Sequence, residues 1–171
     1  GLTWPSLADA MQKTKGRTLH YTEDLRFIRL AEKEQLEDLR VLCTYAEYCI
    51  GVQQVGIDQD EAAAFKENLH SITIRQDKRY TQLDELIARN FKALRKEETE
   101  DDSFVVYGKR VRALESGLRT LRLFLTEVVD TLTNTSGEHT RVADRLGYFE
   151  KRSMELEAEM LLLQEETAKF Y

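Results

Sequence analysis

The chain has 171 residues, enough for one domain of ordinary size, and 42% of them are hydrophobic while 33% are charged. That balance is typical of long helical bundles and coiled coils, in which much of each helix stays in water. The formal net charge of −6 argues against a domain whose main task is to hold nucleic acid, because phosphate neutralisation dominates that affinity.

Residues 1–21 form an amphipathic segment that differs from the rest of the chain. Ser6 and Asp9 predict the start of a short helix over about 6–14, and Gly16 ends it. Two interpretations stay open: a helix packed over the end of the bundle, or an interfacial helix on an anionic membrane. The side chains that would enter such an interface are Trp4, Leu7, Met11, Lys13 and Lys15.

Two long helices are predicted next, over about 22–54 and 59–97, since no proline after Pro5 interrupts the chain. Thr22 is the predicted cap of the first helix, and Asp58 begins the capping box of the second. Apolar residues recur along both at helical spacing. They are Leu25, Ile28, Leu36, Leu39, Cys43, Ala46 and Ile50 in the first helix, and Phe65, Leu69, Ile72, Tyr80, Leu83, Ile87 and Leu94 in the second.

Two polar stretches interrupt this pattern. The sequence RQDKRY at 75–80 predicts a kink or a solvated surface within the second helix. The acidic run EETEDD at 97–102 predicts a solvated loop that separates the second helix from the third.

The last two helices are predicted over about 104–134 and 138–171, and their apolar residues alternate steps of three and four without a break. The positions are Val111, Leu114, Leu118, Leu121, Leu125, Val128 and Leu132, then Val142, Leu146, Phe149, Ser153, Leu156, Met160, Leu163, Thr167 and Phe170. Short connections make consecutive helices antiparallel. We therefore predict an all-α fold: over 22–171, four long antiparallel helices in a bundle or coiled coil, preceded by the short N-terminal helix. In the alternative, a three-helix coiled coil, the first two helices form one bent helix, as in crescent-shaped dimers.

The sequence offers little chemistry. Cys43 and Cys49 point about 240° apart on one helix and so cannot bridge each other within it. Glu67 and His70 have the spacing of a di-iron bundle motif, but the second copy that such a site needs is missing. No catalytic nucleophile motif or phosphate-binding glycine loop is present. We expect neither an enzyme nor a metal or cofactor site.

A basic cluster is predicted where the second and third helices meet at one end of the bundle. Its members are Arg89, Lys92, Arg95, Lys96, Lys109, Arg110 and Arg112. Helix capping and local salt bridges are the favoured interpretation, since cations suit a helix C-terminus and the acidic run lies between the two groups. The alternative is an anionic partner, either an acidic protein or membrane headgroups. Nucleic acid is not expected, because no aromatic residues are interleaved there for base stacking.

Two helices carry apolar residues beyond the single stripe that faces the core. In the last helix these are Leu161 and Leu162, and in the first they are Val41, Leu42 and Tyr45. A stable monomer rarely leaves such patches in water, so we expect a dimer with one of these helices at its interface.

From these observations we expect a cytoplasmic, non-catalytic helical scaffold or adaptor that binds protein, as a homo-oligomer or with a coiled-coil partner. Two alternatives are a crescent-shaped (BAR-like) helical dimer that binds membrane surfaces, and a four-helix ligand-sensing domain of a receptor.

Overall fold

The computed structural model describes residues 19–94, 103–133 and 140–168, which form four helices and no strand. The helices are α1 (Leu19–Val52), α2 (Gln59–Leu94), α3 (Ser103–Thr133) and α4 (Thr140–Ala168). At 1.5 Å per residue each is about 44–54 Å long. The predicted all-α class and the four long helices are therefore confirmed.

Several sequence predictions fall outside the described residues. These are the N-terminal segment with Trp4, Leu7, Met11, Lys13 and Lys15, and the acidic run at 97–102. The predicted cap of α1 is wrong, because the helix begins at Leu19, and Thr22 already lies inside its first turn.

The chain reverses direction between α1 and α2. Gly56 has a φ of 85°, a left-handed conformation that glycine adopts without strain, and its N–H donates to the Val52 carbonyl at 2.7 Å. The carboxylate of Asp58 then accepts a hydrogen bond from the Glu61 N–H at 2.8 Å and caps α2, as the sequence predicts. The first two helices are therefore separate, and the alternative of one bent helix does not form.

Cross-helix pairs show an up-down-up-down order. Asp24 accepts a hydrogen bond from Asn90, and Tyr48 donates one to Glu61, so α1 and α2 are antiparallel. The described residues of α1 and α3 contact each other, whereas those of α2 and α4 do not. The helix packing thus fits a bundle in which α2 and α4 lie on opposite sides of the α1/α3 pair.

The apolar seams of α3 and α4 form the centre of the core. All of their predicted positions that the structure describes are buried, including the two polar ones, Ser153 and Thr167 of α4. The predictions for α1 and α2 are less accurate: Ile50 is exposed, and Tyr80 is only half-buried. Gly117 allows α3 and α4 to approach closely, because a Cβ there would lie 3.0 Å from a methyl group of Leu156.

We predict that Leu156→Ala lowers the free energy of unfolding by about 2–4 kcal/mol, because Leu156 is fully buried and its loss leaves a cavity. Urea denaturation measures this change. Leu162→Ala on the exposed side of the same helix is the matched control and should cost less than about 1 kcal/mol. Equal losses at the two positions would mean that the seam of α4 is assigned to the wrong face.

Candidate docking groove and buried polar layer

A layer of polar side chains crosses the core between α1, α2 and α3, with Arg79 at its centre. The Arg79 side chain is 4% exposed, and its Nη2 donates to Asp38 at 2.7 Å and to Glu115 at 2.8 Å. Its Nε donates to the other oxygen of Glu115 at 3.0 Å. Gln35 donates to Glu115 at 2.7 Å and to the Val111 carbonyl at 2.9 Å. One buried cation on α2 is thus held by carboxylates from both neighbouring helices.

This layer corrects the interpretation of residues 75–80. The helix continues through them, and Gln76 and Arg79 are buried rather than solvated. Burial alone would lower the pKa of Arg79, but the hydrogen bonds and charges of Glu115 and Asp38 outweigh it and raise that pKa. The guanidinium therefore stays charged inside the bundle.

Another buried acid, Glu32, lies one helical turn before Gln35. The Tyr107 hydroxyl donates to Glu32 Oε2 at 2.7 Å, while Glu32 Oε1 has no hydrogen-bond partner among the described residues. Burial raises the pKa of Glu32 to about 7, against the lowering effects of the Tyr107 hydrogen bond and of the charges on Arg29 and Arg110. Glu32 is therefore protonated in the folded chain at a pH where an exposed glutamate is ionised.

The predicted basic cluster is described only in part. The structure does not describe Arg95, Lys96 or the side chain of Lys92, and Lys109 is exposed. The three arginines that it does describe each form an ion pair within the chain: Arg89 with Asp24, Arg110 with Glu166, and Arg112 with Asp84. A partner-binding role for this cluster stays a prediction.

A groove of about 240 Å³ lies between α1 and α4, at the end of the bundle near the α1–α2 turn. We call it the α1–α4 groove. Buried apolar side chains form its floor, exposed Ile50 and Met154 stand on its two rims, and carboxylates flank it. Its lining residues are Cys43, Ala46, Glu47, Ile50, Leu146, Phe149, Glu150, Ser153, Met154 and Glu157.

The groove is electronegative. Its charged lining residues are Glu47, Glu150 and Glu157, and neither Lys nor Arg lines it. The pKa of the Cys43 thiol is raised. Burial is the main cause, the Ser153 hydroxyl has the opposite effect, and the negative charges of Glu157 and Glu47 raise the pKa further.

The outward side of α4 carries apolar side chains that stay partly exposed. Met154 is 66% exposed, Leu161 43% and Leu162 51%. Met154 and Leu161 are seven residues apart and so share one stripe, and Leu162 extends it sideways. We call these three residues the outer face of α4. The sequence predicts the exposure of Leu161 and Leu162.

The matching prediction for α1 is partly wrong. Val41 is exposed, but Leu42 is fully buried in the core, and the Tyr45 ring packs on Phe65 with centroids 4.6 Å apart. The apolar residues around Val41 therefore pack mostly inside the chain, since α2 covers that side of α1.

Other candidate chemistry is sparse. Glu67 and His70 are exposed on α2, and no group of three or more potential metal ligands occurs among the described residues. Cys43 and Cys49 are both free. Within the described ranges, no helix combines the length and apolar character that crossing a membrane requires.

Comparisons with protein-family models, curated proteins and solved structures find no match to this chain.

We predict a pH-dependent stability difference between the wild type and Glu32→Gln. The folded-state pKa of Glu32 is raised from 4.5 to about 7, so its stabilising contribution is fully present below about pH 4.5 and is lost as pH rises through 7. Glutamine stays neutral and lacks this dependence. Between pH 4.5 and 7.5 the free energy of unfolding of the wild type should fall by about 3 kcal/mol relative to that of the variant.

Urea denaturation across that pH range measures the difference. Glu67→Gln, at an exposed position of α2, is the matched control and should follow the wild type at every pH. Parallel curves for the wild type and Glu32→Gln would contradict the protonation assigned to Glu32.

Proposed function

We propose that this chain is a non-catalytic helical scaffold or adaptor domain that binds other protein chains along α4 and associates there with a second copy of itself. The observation that carries the proposal is the outer face of α4, where Met154, Leu161 and Leu162 are all exposed. Contiguous exposed apolar patches mark interaction surfaces, whereas single exposed apolar residues are common on any protein.

The packing of the bundle supports a docking role for α4. This helix contacts α1 and α3 but not α2, so its opposite side faces away from the described part of the bundle. A helix in a four-helix bundle needs about one apolar stripe, and the buried seam of α4 already supplies it. The additional leucines and Met154 are therefore available to another chain.

The expected dimer is weak. Each side chain of the outer face is already about half covered, so burying it contributes on the order of 1 kcal/mol. Six side chains from two copies then contribute on the order of 6 kcal/mol, and association itself costs at least about 4 kcal/mol. A dimer at tens of micromolar requires about 6 kcal/mol net, so we expect the interface to bury further surface of α4 around these three residues.

The proposal also places the chain in a reducing compartment such as the cytoplasm. Cys49 is fully buried and free, and Cys43 is half-buried and free, which suits thiols that act as small apolar residues. For the membrane-surface and receptor alternatives, the described residues provide no specific supporting observation.

We predict that light scattering at tens of micromolar gives about twice the chain mass of 19.9 kDa. Leu161→Glu with Leu162→Glu should shift the mass toward one chain while circular dichroism stays unchanged, because both residues are exposed. Ile74→Glu with Leu123→Glu is the matched control: these residues are similarly exposed on α2 and α3, and the dimer should persist. A wild type that stays monomeric at every concentration would refute self-association.

A further inference from the structure

We infer that the α1–α4 groove binds a basic amphipathic helix of a partner protein. The inference rests on the proposed docking role of α4 and adds the chemistry of the partner. The groove has the shape of a helix-binding site and carries unpaired carboxylates. A second copy of the chain would bring like charge to it.

The shape suits a helix. The lining residues of α4 run from Leu146 to Glu157, about 16 Å along the helix axis, which matches roughly three turns of a partner helix. Between the two rims, Cys43 is half-buried and offers partly accessible apolar surface. A third helix lying along two others would place one apolar stripe between Ile50 and Met154.

The charge of the groove selects the partner. In the described part of the chain, Glu47, Glu150 and Glu157 form no ion pair, unlike Asp24, Asp84 and Glu166, which pair with arginines. Three carboxylates around one apolar groove complement a helix whose apolar stripe is flanked by Lys or Arg.

The spacing of the three glutamates sets where the partner helix must carry its cations. Glu150 and Glu157 are seven residues apart, so they lie on the same side of α4 about 10 Å from each other. Glu47 faces them from α1. Two cations seven residues apart on the partner helix would meet the α4 pair, and a cation on the other flank of its apolar stripe would meet Glu47.

A second copy of this chain is a poor occupant. In a two-fold pairing of grooves, each copy would present the same three glutamates to the other, and like charges across an interface are unfavourable. An anionic lipid surface is repelled for the same reason. The self-association proposed above shares Met154 with the groove, whereas its other two residues, Leu161 and Leu162, lie outside the groove lining.

The test uses a labelled three-heptad peptide with leucines along one stripe and lysines beside it, and fluorescence anisotropy with the full chain. A second peptide carries glutamine at every lysine position and keeps the same leucines. We expect the lysine peptide to bind at least about tenfold more tightly, and its affinity to fall with added salt because exposed charge pairs are screened.

Variants of the chain locate the effect. Replacing the groove carboxylates by Glu47→Gln, Glu150→Gln and Glu157→Gln should weaken lysine-peptide binding about tenfold and reduce its salt dependence. The control Asp60→Asn, Glu67→Gln and Glu85→Gln makes the same charge change on exposed positions of α2, which does not contact α4. It should leave the affinity within about twofold, although the whole chain is acidic.

Equal binding of the two peptides, or equal weakening by the two triple variants, would overturn the inference while leaving the docking role in place. Absence of lysine-peptide binding by a chain that still dimerises through α4 would overturn it in the same way. A chain that neither binds a peptide nor self-associates would overturn both proposals.

Discussion

The buried ion pairs of Arg79 are the interaction on which the alignment of three helices depends. A guanidinium 4% exposed on α2 is held by Asp38 of α1 and by Glu115 of α3. Removing one partner of such a network typically costs about 3–5 kcal/mol, because the remaining charges stay buried without compensation. An apolar seam alone tolerates a shift by one heptad, whereas the contacts of Arg79 with Asp38 and Glu115 form in one register only. We therefore regard Arg79 as the residue that sets how α1, α2 and α3 align.

The position of α4 follows from that alignment in a different way. No residue of α4 contributes to the Arg79 network, and its contacts with α1 and α3 come mainly from the continuous apolar seam. Once α1 and α3 are aligned, α4 packs on the side opposite α2, and the α1–α4 groove forms beside Cys43. Internal salt bridges therefore fix one side of the bundle, while the other side leaves carboxylates and apolar side chains for a partner. This asymmetry between α2 and α4 is the structural basis of the proposed docking role.

The sequence predicts the seams of α3 and α4 well. Apolar residues spaced alternately three and four positions apart, without a break, form one continuous stripe along a helix. The sequence predicts less of α1 and α2, where Glu32 and Gln35 occupy core positions between Ile28 and Leu39. Apolar periodicity cannot distinguish a charged residue that is paired inside the core from one that is solvated. Arg79 pairs with Asp38 and with Glu115, which lie 41 and 36 positions away along the chain, so only the folded structure shows these pairs.

The sequence likewise predicts one part of the candidate site and not the other. The exposure of Leu161 and Leu162 is predictable because both lie beside the seam residues of their own helix. The groove is not predictable, since it forms only when Glu47 of α1 comes to face Glu150 and Glu157 of α4. The pairing of Arg110 with Glu166 likewise joins residues that are distant in sequence, so spacing along the chain does not reveal it.

The most direct measurement is the alkylation rate of Cys43, the half-buried thiol that lines the groove, in a Cys49→Ala variant that leaves it as the single cysteine. The rate is measured for the free chain and for the chain saturated with the lysine peptide, with saturation verified by anisotropy. If the groove is the docking site, the bound helix covers the thiol, and the rate falls by at least about tenfold. An unchanged rate in the saturated complex would place the partner elsewhere on the bundle and contradict the account.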